Sequence, residues 1–529
     1  MENTLYNGQK DHRSVGSEIP VTLCDEVAYV ELSDDFTLPD YMPEIVRLLR
    51  VNVRTAPAET YLTGGNVKVA CSVGYEIMYV GDDGRASYTV LPSSCELSAP
   101  VTTEAVWDQS KGADLCADVM PETVVSRVNG ARKLSLKCRM AARIRAIGKR
   151  RMPDGRDICE DKRVQALFSV VNYSVESFGE NNDINVVDDI GTPREGEKYL
   201  CTDCRVFVES ATAYDGYAEC RGAIVMKHLF AEDRGGIRAV SDKMNFSEIV
   251  EADGMRAGDS VMAFGRCYET ALNGGHGDGE GTDGTVSVSA SVSLKVRGFG
   301  NAKMTYLKDA YSTANESFVQ TEHCKLPCHR AVFNRNMTFG EAYAIEKLPN
   351  VREDTRIVDV YAEAYGGGAE LSDNGRYVIN GKCRFSLVLA HEREDGEVEY
   401  FSEEVELPFK YECAEDFTDF TFESIELESI GSRARLDGER LELGCEIAIA
   451  CSIVGCNEAG VVCSLVSGDA VEGHRRGFTV CYPGENDSLW SISKKYRARL
   501  DHTAEENGIE LSENADSSET LSGIKYMIV

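Results

Sequence analysis

Three times along this chain apolar residues alternate with their neighbours over a long run, and few folds accept that pattern. After Gly65 the positions Val67, Val69, Cys71, Val73, Tyr75, Ile77 and Tyr79 are apolar, and Asp82-Asp83-Gly84 ends the run. After Gly216 the same spacing places Ala218, Cys220, Gly222, Ile224, Met226, His228 and Phe230 ahead of Glu232-Asp233-Arg234-Gly235. After Gly375 come Tyr377, Ile379, Gly381, Cys383, Phe385, Leu387 and Leu389, then Glu394-Asp395-Gly396. A period of two puts every second side chain on one face of a strand, so these are half-buried antiparallel strands. Each has a second ladder downstream. Leu134, Leu136, Cys138 and Met140 follow Asn129-Gly130; Val286, Val288, Ala290, Val292, Leu294 and Val296 follow Gly284; Leu441, Leu443, Cys445, Ile447 and Ile449 follow Asp437-Gly438. Asx-Gly pairs between strands suit tight hairpins.

The expected fold is therefore mainly β. Three tandem antiparallel β-sandwich or barrel-like domains are expected over residues 20–165, 166–312 and 313–452, each about 140 to 155 residues, near the usual domain size. Residues 453–476 read as a linker, with Gly455, Gly460, Gly468 and Gly473, in which the apolar Val461, Val462, Leu465 and Val466 allow part of the segment to pack. Residues 477–529 read as a separate small domain.

The chain has 529 residues, a 43% apolar fraction and a formal charge of −32. That charge argues against nucleic acid or an anionic membrane as partner and favours a basic protein patch. The stretch from Met1 to Gly16 is polar, without the apolar segment of a signal peptide, and no run is apolar enough to insert in a membrane. The 19 cysteines are odd in number, and many fall on inward ladder positions as small buried hydrophobes do. A reducing cytosol fits them better than a disulfide framework.

Motifs that carry chemistry are weak. Gly279-Glu280-Gly281-Thr282-Asp283-Gly284 matches a dinucleotide fingerprint, but a strand follows it where the mechanism needs a helix, so no cofactor is expected. Cys201-Thr202-Asp203-Cys204 is a lone pair of thiols, whereas a structural zinc site needs a second pair. In His323-Cys324-Lys325-Leu326-Pro327-Cys328-His329, neighbours on an extended chain point apart and do not meet one tetrahedral ion; no metal is expected. Nucleophilic catalysis needs a base beside the nucleophile, and none of the eight histidines sits in a triad pattern. His228, at an inward position, reads as a satisfied core residue. No catalytic residue is assigned, and the protein is not expected to be an enzyme.

The tail is the most specific segment. Phe478, Val480 and Tyr482 alternate as a strand, and Pro483-Gly484 breaks it. Asp487 or Ser488 suits the cap of a helix with Leu489, Ile492, Ser493 and Tyr496 on one face. Asp501 suits the cap of a second, ending near Asn507-Gly508. Ile524, Tyr526 and Ile528 alternate again. With Asp487-Ser488-Leu489-Trp490, this segment resembles a LysM module, a βααβ binding domain, although that family closes on Ile-Pro where this chain has Ile528-Val529. It departs from that family in an extra Glu485-Asn486 and a long acidic loop from Glu510 to Thr520. The resemblance implies a core of Leu489, Trp490, Ile492, Tyr496 and Ile528. It implies a partner-binding groove between Pro483, Gly484, Asn486, Asp487 and Ser488 on one side and Asn507, Gly508 and Ile509 on the other.

The first repeat carries Phe36-Thr37-Leu38-Pro39-Asp40-Tyr41-Met42-Pro43-Glu44-Ile45-Val46-Arg47-Leu48-Leu49-Arg50-Val51. Pro43, with Ile45, Leu48 and Leu49 on one side, predicts a short helix. Together with the Gly65 strand and Asn129-Gly130-Ala131-Arg132-Lys133-Leu134, this segment resembles the SPOCS domain of clostridial sporulation proteins of the SipL type, where such domains precede a LysM module. The second and third repeats lack the Leu-Pro-Asp segment and look like divergent copies. The resemblance implies a non-enzymatic adaptor in endospore coat assembly, in the mother-cell cytosol at the forespore surface, docking through its LysM module to a sporulation ATPase or coat protein. Alternatives are a module that binds peptidoglycan, cortex or chitin-like glycan, and a scaffold that self-assembles through exposed sheet edges.

Overall fold

The computed structural model describes residues 18–102, 107–153, 155–191, 194–232, 236–273, 286–352, 354–372, 376–393, 398–413, 421–471, 478–511, 521 and 523–529. It is mainly β, with several antiparallel sheets.

The first unit runs β1 (Glu18–Thr37), β2 (Ile45–Thr55), β3 (Glu59–Thr63), β4 (Asn66–Gly81), β5 (Ala86–Pro100), β6 (Asp114–Gly130) and β7 (Lys133–Arg151). One sheet has the order β1-β7-β6; the other is β2-β4-β3, with β5 also on β4. The second unit runs β8 (Val164–Gly191), β9 (Glu197–Tyr214), β10 (Tyr217–Glu232), β11 (Ile237–Glu251), β12 (Ser260–Asn273) and β13 (Val286–Ser312). Its sheets are β12-β13-β8 and β11-β10-β9. The third runs β14 (Asn315–Ala344), β15 (Arg356–Leu371), β16 (Tyr377–Glu392), β17 (Val398–Glu412), β18 (Thr421–Asp437) and β19 (Arg440–Ala470), in sheets β14-β19-β18 and β15-β16-β17. One topology is thus used three times. The first strand returns to pair with the last, the penultimate strand flanks the last, and the middle strands form the opposing sheet.

The turns follow local chemistry. Tyr214 pairs Tyr217 across Asp215-Gly216, with Gly216 at φ 88°, a conformation that suits glycine at a tight hairpin. Asp437 pairs Arg440 across Gly438, at φ 59°. Each sandwich closes on its own core. The inward ladders of β4 and β7 meet in the first, those of β10 and β13 in the second, and those of β16 and β19 in the third.

Two segments differ from the sequence reading. Residues 45–55 are strand β2, not a short helix. Pairing with β4 shifts register between Ile45/Arg47 and again between Leu48/Arg50. Bulges of this kind break the alternation and leave an apolar spacing that resembles a helix. Residues 453–470 are not a linker but the second half of β19, paired with β14 as far as Asn315 opposite Ala470. Their glycines serve close approach: a Cβ on Gly460 would meet Thr321 Cγ2 at 3.2 Å, and one on Gly468 would meet Glu316 Cβ at 3.1 Å. Val461 and Val462 are fully buried.

The three sandwiches are fused. Leu49, Met78 and Ala86 from the first, Leu200, Cys201, Leu229 and Ala231 from the second, and Val388, Ala390 and Tyr400 from the third share one apolar cluster. Met78, Leu229 and Val388 each lie thirteen positions after the glycine that opens their ladder. They sit on the faces a lone sandwich would turn to water. Burying each is worth roughly 1.5–3 kcal/mol. A second shared cluster joins the long strands through Ile19, Tyr173, Met304, Leu326 and Val461.

Beside the first cluster lies a buried charge network. Arg50 grips Asp203 with two hydrogen bonds, 2.9 Å from Nη1 and 2.7 Å from Nη2, and reaches Asp359 at 3.0 Å. Asp359 also accepts from Lys227. One guanidinium from the first sandwich therefore holds a carboxylate from each of the others. Arg150–Glu322 (2.6 Å), Lys295–Asp118 (2.8 Å) and Arg205–Glu428 (2.7 Å) join the sandwiches pairwise.

Candidate functional site

The chain ends in a small unit placed against the second sandwich. It comprises strand β20 (Val480–Cys481), helix α1 (Leu489–Tyr496), helix α2 (Leu500–Glu506) and strand β21 (Met527–Ile528); the strands pair antiparallel, Val480 with Ile528 and Cys481 with Met527. Ser488 caps α1 in a reciprocal box: Ser491 N donates to Ser488 Oγ at 3.1 Å, and Ser488 N donates to Ser491 Oγ at 2.8 Å. Asp487 instead accepts from Gly484 N at 2.8 Å, pinning the turn ahead of the helix. Arg499 occupies the cap position of α2 without a side-chain bond, and Asp501 lies inside its first turn. That corrects the expected cap. Asn507 ends α2, with Gly508 at φ 62°.

Leu489, Trp490, Ile492, Leu500, Ala504, Leu521 and Met527 form the core of this unit, and Leu167 and Tyr311 of the second sandwich complete it. Trp490 stacks edge-on to Tyr311 at 5.0 Å and donates from Nε1 to Asp309 Oδ2 at 2.8 Å. Lys494 Nζ lies 2.6 Å from both oxygens of Asp309. Tyr311 donates to the carbonyl of Ala498 at 2.7 Å, and Leu500 N donates to Gln165 at 3.2 Å. The helix pair is thus bolted to β8 and β13. Neither Asp309 nor Tyr311 carried any local signal in the sequence.

Of the residues expected to bind, Asn507 has a structural task. Its Nδ2 donates to Thr503 O and to Ile528 O, both at 2.7 Å, and its Oδ1 accepts from Ile528 N at 2.8 Å. Ser488 is buried by its capping role, and Ile509 packs on the core. Gly484, Asn486 and Gly508 are exposed, while Pro483 and Asp487 are half-buried. The two segments meet the same ribbon: residues 482–488 leave β20, and Asn507 holds β21. Tyr496, placed in the core by the sequence reading, is 40% exposed at the end of α1, with Lys495 over its ring. Ile528 is half-buried.

The ribbon has an outer face that the sequence reading passed over. Phe478 (77% exposed), Tyr482 (78%), Tyr526 (60%) and Val480 (54%) are apolar and open to solvent. The alternation that marked a strand also carried this signal, because residues of one parity share a face and these are too large and apolar for a plain surface.

The other chemical candidates among the described residues lie on strands of the second and third sandwiches. Cys201 lies in the three-way cluster, Cys204 faces the second core and Asp203 serves Arg50. Cys324, Leu326 and Cys328 are buried along β14, with His323 and Lys325 exposed between them. Among the described residues no group of three His, Cys, Asp or Glu is placed to hold a metal ion. His228 is buried, bonded to Thr202 at 2.7 Å through Nδ1 and to Asp188 at 2.9 Å through Nε2. The Gly279–Gly284 motif lies outside the described residues. No described helix is long and apolar enough to cross a membrane. No family model matches the chain, and no curated protein matches it.

Proposed function

We propose that the protein is a non-enzymatic adaptor of endospore coat assembly, acting in the mother-cell cytosol at the forespore surface. Its three sandwiches, which resemble tandem SPOCS domains, are the body, and its terminal unit, which resembles a LysM module, is the docking element. The observation that carries this reading is the two-sided build of the terminal unit. Trp490, Lys494 and Leu500 commit one side to the second sandwich. The opposite ribbon presents Phe478, Val480, Tyr482 and Tyr526 to solvent. Exposed aromatic side chains of this kind anchor protein interfaces, where a few large rings carry most of the binding energy. The occupant proposed is a protein, a sporulation ATPase or coat component, with basic groups that complement a chain of charge −32.

The same aromatics support a second reading, a binder of peptidoglycan or chitin-like glycan, because sugar rings also stack on tyrosine. A fluorescent fusion followed through sporulation tests the first. A shell around the forespore that becomes diffuse when Tyr482 and Tyr526 are changed to Ser supports it. Diffuse signal from the unaltered fusion, or signal in vegetative cells alone, removes it.

A further inference from the structure

Each sandwich holds one pair of cysteines whose thiols meet. In the first, Cys71 on β4 lies directly opposite Cys95 on β5, and their thiols hydrogen-bond. In the third, Cys383 on β16 and Cys445 on β19 bring their sulfurs to 3.3 Å across the core. Both pairs are closed inside their cores, where a thiol serves as a small hydrophobe. The pair in the second sandwich, Cys204 on β9 and Cys267 on β12, is placed differently.

β9 and β12 are edge strands of the two opposing sheets, and they lie against each other. Both cysteines also line a cavity of about 970 Å3 where the three sandwiches meet, at the upper end of the volumes that hold small ligands. Lys382 and Glu406 on its wall keep 55% and 42% of their side chains in solvent, so the cavity is open to water. The pairing of β12 with β13 shifts register between Cys267 and Glu269, a bulge of the kind that re-aims a side chain. The half-buried Cys267 thiol there donates to Glu269 O at 3.3 Å and accepts from Arg54 Nη1 at 3.8 Å and from the Cys204 thiol. A guanidinium beside a sulfur favours the thiolate, the form that attacks a disulfide. The Cys204 hydrogen bond, with help from Arg54, lowers Cys267 against burial; the same bond and burial raise Cys204. The first proton of the pair therefore leaves from Cys267.

We infer that Cys204 and Cys267 form a redox-active dithiol on the cavity wall, which exchanges with a small organic disulfide to give a Cys204–Cys267 bridge between β9 and β12. The Cys267 thiolate attacks one sulfur of that disulfide, whose S–S bond breaks; the leaving thiolate takes up a proton. Cys204, losing its proton in turn, attacks the Cys267 sulfur. The mixed disulfide breaks, the internal one forms, and a second small thiol leaves. The chain gives up two electrons, and one disulfide is reduced to two thiols. The site does not depend on the docking role of the terminal unit.

The test treats the folded full chain with cystamine, a disulfide whose two ammonium groups suit walls with eight carboxylates against six bases. Remaining thiols are then alkylated in denaturant, and the digested chain is read by mass spectrometry. The exposed Cys456 and Cys463 serve as reference thiols. The expected product is a Cys204–Cys267 link, reversed by dithiothreitol, formed at least tenfold faster than any link within Cys71/Cys95 or Cys383/Cys445. In Cys204→Ser the reaction is expected to stop at a mixed disulfide on Cys267, with far-ultraviolet dichroism like the parent's. Cys204 and Cys267 still free in the parent when Cys456 and Cys463 are fully derivatised, or a link no faster than those of the two core pairs, overturns the proposal.

Discussion

Arg50 does for three sandwiches what a backbone ladder does within one. Its guanidinium spans two carboxylates from different repeats, and both are buried. Removing one member of such a network leaves charge buried without a partner, at roughly 3–5 kcal/mol. Arg50→Met is therefore predicted to lower stability in urea unfolding by about that amount, and by more than Lys227→Met, whose ammonium is partly open to water. Acid weakens the same network. Burial alone would push the Asp203 carboxyl up, but Arg50 and Lys227 outweigh it and hold it below its ordinary value. A carboxylate depressed by folding contributes stability above its unfolded pKa and loses it as pH falls toward the folded one. Glu197 behaves alike: its paired bonds from Arg238, at 2.6 and 2.7 Å, hold it at about 2. Glu197→Gln is predicted to flatten the loss of stability between about pH 4.5 and 2, read as melting temperature against pH.

Among the elements, α1 gains most of its stability from tertiary contact, because a helix this short is marginal alone. Trp490→Ala is predicted to cost about 3–5 kcal/mol of local stability, and Asp309→Ala to loosen the same helix from the other side of the contact. Hydrogen exchange over residues 489–506 checks both; protection equal to the parent's would refute the docking geometry. Elements with a strict local period were legible in the sequence: the ladders of β4, β10 and β16 each occupy the run that the alternation marked. β2 was not, because two bulges within Ile45–Arg50 turn a strand's pattern into something helix-like. The second half of β19 was missed because glycines signal flexibility until a neighbour is known. Gly460 and Gly468 are small because Thr321 and Glu316 come close.

At the scale of the whole molecule, what was illegible is the fusion. Met78, Leu229 and Val388 occupy the off-phase side of each ladder, and an apolar residue there gives no clue to which surface covers it. The sequence could show three copies but not that they meet, so the cavity between them was out of sight. Sandwiches that share two apolar clusters and a buried ion network should lose their structure together. Calorimetry of the full chain is predicted to show one main transition for residues 18–470, where three independent domains would give three. The exposed ribbon of the terminal unit, by contrast, was present in the alternation of Phe478, Val480 and Tyr482, and only their solvent exposure was lacking.

The central proposal is that the three fused sandwiches carry one protein-docking face on the terminal unit. Its most direct test is the affinity of the purified full chain for the sporulation ATPase, measured beside retention on peptidoglycan sacculi. The account predicts saturable binding to the ATPase, at least tenfold weaker in Phe478→Ser/Tyr482→Ser/Tyr526→Ser with unchanged melting, and no comparable retention on sacculi. Equal binding by the parent and this variant, or capture by sacculi with none by the ATPase, would contradict it.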